Sequence, residues 1–166
     1  MVGRYFNPID VAVECGFHLS SQMSSPRGCI NSLGFSGDGE LLAAAGDDLA
    51  VRVWRCREGY TSLNVLQSNH GGNIFASEFA PHRNDLIATC AADGRVQVLT
   101  TERPDSPVLR LFTAHSNMAH SLAFPFQHSC ILCSVGSDGL CLVHDLRCPV
   151  QQDASGHSAT TGAGLS

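Results

Sequence analysis

AAGDDLAVRVW at residues 44–54 returns in altered form as TCAADGRVQVL at residues 89–99 and as SVGSDGLCLVH at residues 134–144. The copies are 45 residues apart. They share one aspartate column, which holds Asp48, Asp93 and Asp138. Because a fixed period in the forties is typical of repeat architectures, fold and function have to be considered repeat by repeat.

Short apolar runs with period-2 alternation, bounded by Gly and Asp, surround each copy and predict β-strands. The expected strands are residues 30–35, 41–45, 51–54 and 63–66, then 74–79, 86–90, 96–99 and 108–112, then 120–124, 131–134 and 140–144. No helix of useful length is visible. Four strands per unit, repeated at this period, indicate the blades of a β-propeller. The predicted fold is therefore all-β, an open partial propeller of about three four-stranded antiparallel blades.

The repeat register divides the chain into five parts. They are an N-terminal segment (1–27) whose residues 17–23 resemble the outer strand of a preceding blade, blade 1 (28–69), blade 2 (70–114), an incomplete blade 3 (115–150) and a disordered Gly/Ser-rich tail (151–166). Three blades do not close a ring, since propellers typically have four to eight. The sequence therefore predicts a fragment or truncated product of a longer protein, marginally stable or self-associating on its own.

Composition excludes several function classes. The net charge is −5 and no Lys/Arg cluster occurs, which disfavours nucleic-acid binding. No apolar run reaches 18 residues and no secretory signal pattern opens the chain, so neither a membrane partner nor export is expected. The eight cysteines are then expected to be reduced, in the cytoplasm or nucleus.

Each aspartate is expected to fix the turn between the second and third strands of its blade. A histidine 23 residues upstream and a hydroxyl four residues upstream can complete a buried network. The expected sets are His70, Thr89 and Asp93 in blade 2, and His115, Ser134 and Asp138 in blade 3. These sets resemble the structural tetrad of WD-repeat propellers, whose fourth member is a Trp of the third strand.

The resemblance is incomplete in every blade. Blade 1 has Asp48 and Trp54 but lacks the histidine and the hydroxyl, with Pro26 and Ala44 in their columns. Blades 2 and 3 carry Leu99 and His144 in the Trp column. A catalytic triad is the alternative interpretation of a His, Ser/Thr and Asp set, but two near-identical copies at the repeat spacing favour a structural role. No catalytic residue is predicted.

Three segments carry a narrower resemblance. They are GCIN at residues 28–31, NIF at 73–75, and His115 with HSLA at 120–123 and the closing DLR at 145–147. In this order they resemble the first blades of cullin-4-associated WD-repeat factors, in the factor-eight-like, plant-type branch. The resemblance implies a substrate receptor of a cullin-4 RING ubiquitin ligase. Its partners would be the damaged-DNA-binding-protein adaptor of that ligase and an unknown protein substrate.

The family's adaptor-binding box matches residues 132–147, and it assigns adaptor binding to Asp145 and Arg147. His144 stands where an aromatic residue is usual. An arginine just past a strand end suits an interface anchor, because its guanidinium forks toward partner carboxylates and carbonyls. The alternative is a solvated ion pair at the strand end. A weaker second copy of the box ends at Arg57 in blade 1.

The cysteines allow a rival interpretation, since Cys130, Cys133, Cys141 and Cys148 could form a zinc site. Cys133 and Cys141 fall in columns of small or apolar residues in the sister blades, so burial as small hydrophobes is favoured. No metal and no cofactor are predicted. The functional alternatives are a WD-repeat scaffold in another complex, an enzyme using a thiol such as Cys56, and a truncated product with no independent function.

Overall fold

The computed structural model describes residues 22–23, 28–57 and 59–148. This part of the chain contains eleven strands and no helix. The strands are β1 (Ile30–Phe35), β2 (Leu41–Gly46), β3 (Ala50–Arg55), β4 (Thr61–Gln67), β5 (Ile74–Ala80), β6 (Arg83–Ala91), β7 (Arg95–Thr100), β8 (Val108–Thr113), β9 (Ala119–Ala123), β10 (Ile131–Gly136) and β11 (Cys141–Asp145). Most of the expected outer strand at residues 17–23 and the whole tail at 151–166 lie outside the described residues.

Three antiparallel sheets confirm the all-β, partial propeller fold. They have the strand orders β1-β2-β3-β4, β5-β6-β7-β8 and β9-β10-β11, so each strand pairs with its neighbour in sequence. Within the described residues the third sheet has three strands. The predicted strands are confirmed with small shifts at their ends; β6 begins at Arg83 rather than at Leu86.

The core lies between consecutive sheets. The side of each sheet that faces the next repeat is here called the trailing face, and the side that faces the previous repeat is the leading face. The trailing face of blade 1 carries Ala43, Ala45, Val51 and Val53, and it packs against the leading face of blade 2 at Ile74, Phe79, Ile87 and Leu99. The same columns pack blade 2 on blade 3. Each interface is thus formed by repeated residues, and each blade buries its faces only against its neighbours.

The first strand of blade 1 departs from the 45-residue register. Phe35 pairs with Leu42 as Phe79 pairs with Ile87, so this strand is offset from β5 by 44 residues. The segment from Phe35 to Leu42 is one residue shorter than the segment from Phe79 to Ile87, and this accounts for the offset. Because one residue of shift moves a side chain to the other face of a sheet, Phe35, not Gly34, holds the phenylalanine column of blade 1.

Two glycines in equivalent turns give a prediction about blade stacking. Gly94 and Gly139 have φ values of +74° and +80°. A Cβ at Gly94 would lie 2.6 Å from the His115 carbonyl oxygen of blade 3, whereas a Cβ at Gly139 would meet nothing within 4 Å. We expect Gly139→Ala to lower the free energy of unfolding by about 1 kcal/mol, because alanine is disfavoured in this backbone conformation. Gly94→Ala should cost about 3 kcal/mol because backbone overpacking is added.

Urea unfolding of both variants would test this difference. Equal losses at the two positions would contradict the close contact between the Gly94 turn and blade 3.

Candidate functional site

Blade 2 brings its three predicted network residues together. His70 Nδ1 lies 3.1 Å from Asp93 Oδ1, and His70 Nε2 lies 3.0 Å from the Thr89 hydroxyl. The Asp93 carboxylate also accepts backbone N–H bonds from Gly71 and Arg95. It therefore joins the turn after β6 to the loop before β5. Leu99 is fully buried in the Trp column.

Blade 3 has the same arrangement with one more member. His115 Nδ1 lies 3.0 Å from both Asp138 oxygens, and His115 Nε2 lies 2.9 Å from Ser134 Oγ. Ser134 Oγ also lies 2.8 Å from His144 Nε2. His144 packs at 4.9 Å on the Phe112 ring. His144 thus makes the hydrogen bond expected of the absent Trp, a role that the sequence interpretation missed.

When both histidines of blade 3 are neutral, the hydrogen-bond partners determine which atom donates and which accepts in each hydrogen bond. A carboxylate only accepts, so His115 Nδ1–H donates to Asp138 and leaves Nε2 as an acceptor. Ser134 then donates its O–H to His115 Nε2, and its oxygen accepts the His144 Nε2–H. Ser134 is the central member of this network and contacts two buried imidazoles.

Burial sets the charge of these groups. Burial, and then the charge of His115, lower the pKa of His144 to about 4. Burial also lowers the pKa of His70 against the opposing effect of Asp93. Burial acts to raise the pKa of Asp93, but hydrogen bonds from Gly71, Arg95 and His70 outweigh it and hold that pKa below its usual value. These directions favour neutral imidazoles at His70 and His144 and an ionised carboxylate at Asp93.

Blade 1 stabilises its turn differently. Asp48 accepts from the Ala50 backbone N–H at 3.3 Å and from the Arg52 guanidinium at 2.8 Å. Arg52 therefore pairs with the aspartate that has a histidine partner in the other blades. Trp54 is 7% exposed. Asp47, which the sequence interpretation passed over, accepts from the Cys29 backbone N–H and the Asn31 amide.

Asp145 and Arg147 lie at the opposite end of blade 3 from the aspartate turns. Arg147 donates from Nε to Asp145 Oδ1 at 2.9 Å and from Nη2 to Oδ2 at 2.6 Å. The Arg147 side chain is 68% exposed, and Asp145 is its hydrogen-bond partner within the described chain. The Arg147 side-chain and backbone bonds lower the pKa of Asp145 to about 2.

The residue between them anchors this turn. Leu146 packs against the core between blades 2 and 3, and its backbone N–H donates to the Cys130 carbonyl at 2.8 Å. The exposed guanidinium is therefore carried by a backbone that is fixed to the propeller body.

The cysteines do not converge on one point. All seven described cysteines are free thiols, and the described residues contain no group of three or more His, Cys, Asp or Glu that could hold a metal ion. Cys133 is half-buried and Cys141 is exposed, so the expected burial of this pair is wrong. The reason is that no further sheet covers their side of blade 3 in the described part of the chain. Cys56 is half-buried, and burial raises the pKa of its thiol, which disfavours a reactive thiolate.

Comparison with known proteins supports the observed fold. Residues 17–55 match the family described as WD domain, G-beta repeat. Together with the three stacked sheets and the two His–hydroxyl–Asp networks, this match indicates a partial WD-repeat propeller, a fold typical of protein-interaction modules. WD-repeat proteins are generally non-catalytic scaffolds.

Several curated proteins are similar over most of the chain. Protein ALTERED SEED GERMINATION 2 of Arabidopsis thaliana is 28% identical over 76% of the chain and 18% of its own length. WD and tetratricopeptide repeats protein 1 of Homo sapiens is 31% identical over 78% of the chain and 19% of its own length. DDB1- and CUL4-associated factor 6 of Homo sapiens is 26% identical over 78% of the chain and 15% of its own length. The chain thus spans less than a fifth of these relatives. The factor-eight-like, plant-type branch stays a prediction.

The part of the chain that the structure describes includes no helix long and apolar enough to cross a membrane.

Proposed function

We propose that this chain is a substrate-receptor module of a cullin-4 RING ubiquitin ligase and binds the damaged-DNA-binding-protein adaptor through Arg147. The observation that carries the proposal is the exposed Arg147 guanidinium, held by Asp145 at the strand end where the resembled family places its adaptor-binding arginine. The similarity to a DDB1- and CUL4-associated factor supports the same partner. The chain itself performs no chemistry in this role and presents a protein substrate to a partner enzyme.

The geometry suits an interface anchor. Asp145 accepts hydrogen bonds from two of the five guanidinium N–H groups. The remaining N–H groups can donate to a carboxylate or carbonyl of a partner. Because the two bonds already fix the rotamer, less side-chain entropy is lost on binding. An exposed ion pair contributes little to folding because solvent screens it, so the pair has little structural purpose of its own.

The surroundings of Arg147 offer apolar contact area. A groove of about 290 Å³ is lined by Leu86, Val98, Leu109, Arg110 and Leu146. Phe126, in the turn before β10 at the same end of blade 3, is 85% exposed. Aromatic and arginine side chains are the residue types that dominate binding energies at interfaces.

Co-precipitation from cells tests the proposal. The tagged 166-residue chain should recover the adaptor, and Arg147→Ala should reduce recovery to background. Arg57→Ala is the matched control, because Arg57 holds the same column in blade 1 and pairs with Glu40 at 2.8 Å. This control should recover the adaptor fully. Both variants should unfold within about 0.5 kcal/mol of the parent, as surface substitutions do.

Recovery that is unchanged by Arg147→Ala would reject the adaptor contact. Recovery of other proteins without the adaptor would favour a scaffold in another complex. A parent chain that recovers no partner at all would favour a truncated product without independent function.

A further inference from the structure

The second strand of blade 2 begins three residues earlier than the sequence predicts. Strand β6 has nine residues, whereas β2 and β10, which hold the same position in their blades, have six each. The three additional residues at its start are Arg83, Asn84 and Asp85. Because β6 runs toward the Asp93 turn, its first residues lie at the opposite end of the blade. This is the end at which blade 3 carries Arg147.

Arg83 and Asp85 form the same paired arrangement as Arg147 and Asp145. Arg83 donates from Nε to Asp85 Oδ1 at 2.7 Å and from Nη2 to Asp85 Oδ2 at 2.6 Å. The corresponding distances between Arg147 and Asp145 are 2.9 and 2.6 Å. The Arg83 side chain is 49% exposed, so its remaining N–H groups can donate to a partner, as those of Arg147 can.

The backbone that carries Arg83 is held by both neighbouring elements. The Asn84 amide donates to Asp38 Oδ2 of blade 1 at 2.6 Å. The Asp85 carbonyl accepts a hydrogen bond from the Thr101 backbone N–H at 3.0 Å. A guanidinium on such a backbone loses less conformational entropy on binding than a free one, because its position and rotamer are already ordered.

The two arginine pairs lie at one junction between blades. Leu86, which follows Asp85, and Leu146, which follows Asp145, line the same groove between blades 2 and 3. Both leucines also pack against the core cluster that these two blades share. The two pairs are therefore neighbours, one on each side of the junction.

Cys130 of blade 3 is close to both guanidiniums. Hydrogen bonds and charge of Asp85 raise the pKa of Arg83 above its usual value, and smaller contributions in the same direction include Cys130. Asp145 raises the pKa of Arg147 in the same way, and Cys130 again contributes. One exposed thiol thus lies within electrostatic reach of an arginine from each blade.

We propose that Arg83 is a second anchor of the adaptor interface, so that the adaptor contacts blades 2 and 3 together and covers Cys130. This inference rests on the proposed function and extends its contact to the neighbouring blade. The adaptor surface would present one carboxylate or carbonyl group to each guanidinium, because a guanidinium only donates and its fork matches such acceptors. Two fixed arginines also select a partner whose acceptors have the same spacing, which one arginine cannot do.

A titration of the purified adaptor with the purified 166-residue chain tests the second anchor. Arg83→Ala should weaken binding at least about 10-fold, as expected for an arginine that contributes strongly to an interface. Arg95→Ala is the matched control, because Arg95 belongs to the same blade, is 40% exposed and lies beside Asp93 at the opposite end. The control should leave the Kd unchanged. Both variants should unfold at the urea midpoint of the parent.

Site-resolved alkylation tests the same contact without any substitution. Iodoacetamide modifies exposed thiols, and mass spectrometry of the digested chain measures the rate at each cysteine. The adaptor should protect Cys130 from modification. Cys29 is the internal control, because it is exposed and lies beside Asp47 at the opposite end of blade 1. Its rate should be the same with and without the adaptor.

An unchanged Kd for Arg83→Ala, in a chain that loses binding on Arg147→Ala, would reject the second anchor and leave the blade 3 contact intact. Modification of Cys130 at the same rate with and without the adaptor would also reject it. An equal loss of affinity for Arg95→Ala would show a general effect of net charge, which contradicts a local anchor. A folded parent chain that does not bind the adaptor would overturn the proposed function, and this inference with it.

Discussion

Replacing Ser134 by alanine is expected to lower the free energy of unfolding by about 3 kcal/mol, since a buried polar group left without its partner costs about 1–3 kcal/mol. Ser134 is 1% exposed and contacts two imidazole nitrogens, His115 Nε2 at 2.9 Å and His144 Nε2 at 2.8 Å. Alanine fills nearly the same volume, so the loss should come from the two nitrogens rather than from a cavity. Urea unfolding followed by far-UV circular dichroism would measure it.

Thr89→Val is the matched control in blade 2. It removes the equivalent hydroxyl with little change of shape, but Thr89 contacts only one imidazole, His70 Nε2, because Leu99 holds the column of His144. We expect a loss of about 1–2 kcal/mol, from one unpaired nitrogen. A loss at Thr89 equal to or larger than that at Ser134 would contradict the four-membered network of blade 3.

Acidification from pH 6.5 to pH 4 is expected to remove about 3 kcal/mol of stability through His144 alone, at about 1.4 kcal/mol per pH unit. The folded protein holds the pKa of His144 at about 4, below the 6.5 of an unperturbed histidine. Below pH 6.5 the unfolded chain therefore binds a proton that the folded chain does not. The stability is fully present above pH 6.5 and is lost as the pH falls toward 4. His70, whose pKa is also lowered, adds to the loss in the same direction.

The histidines and the aspartates affect stability in different pH ranges. The pKa values of Asp93 and Asp138 are lowered from an ordinary value of 3.8. The stability that these two carboxylates contribute is therefore lost below the pH range in which His144 acts. His144→Leu, which introduces the residue of blade 2, should reduce the slope of unfolding free energy against pH by about one proton. A slope between pH 6.5 and 4 that is unchanged in this variant would reject the buried, neutral His144.

Much of the fold was predictable because each repeat carries the pattern of residues that a propeller blade requires. Alternating apolar residues on either side of Asp93 and Asp138 indicate strands that meet at a polar turn, and the structure has them there. The side of the sheet on which each β1 side chain lies was less predictable. A strict 45-residue column places Gly34 where the structure has Phe35, because the connection from Phe35 to its partner Leu42 is one residue shorter than the equivalent connection in blade 2.

The site was predictable where the residue types were the usual ones. His70 and His115 each precede their aspartate by 23 residues, and both form the expected hydrogen bond to it. His144 was missed because the sequence was compared with a Trp column, although an imidazole N–H can donate as an indole N–H does. Arg52 was missed because its column holds Gln97 in blade 2 and Leu142 in blade 3, and neither of these residues is a cation. Exposure of Val143 depends on what packs against blade 3, which strand patterns do not specify.

A titration of the purified adaptor with the purified chain tests the central claim most directly. The parent chain should bind with a measurable Kd. Arg147→Ala should weaken binding at least about 30-fold, which is the effect of losing a hot spot of about 2 kcal/mol. Arg57→Ala should leave the Kd unchanged. Equal affinities for the parent and Arg147→Ala, or no binding by the folded parent chain, would contradict adaptor recruitment through the end of blade 3.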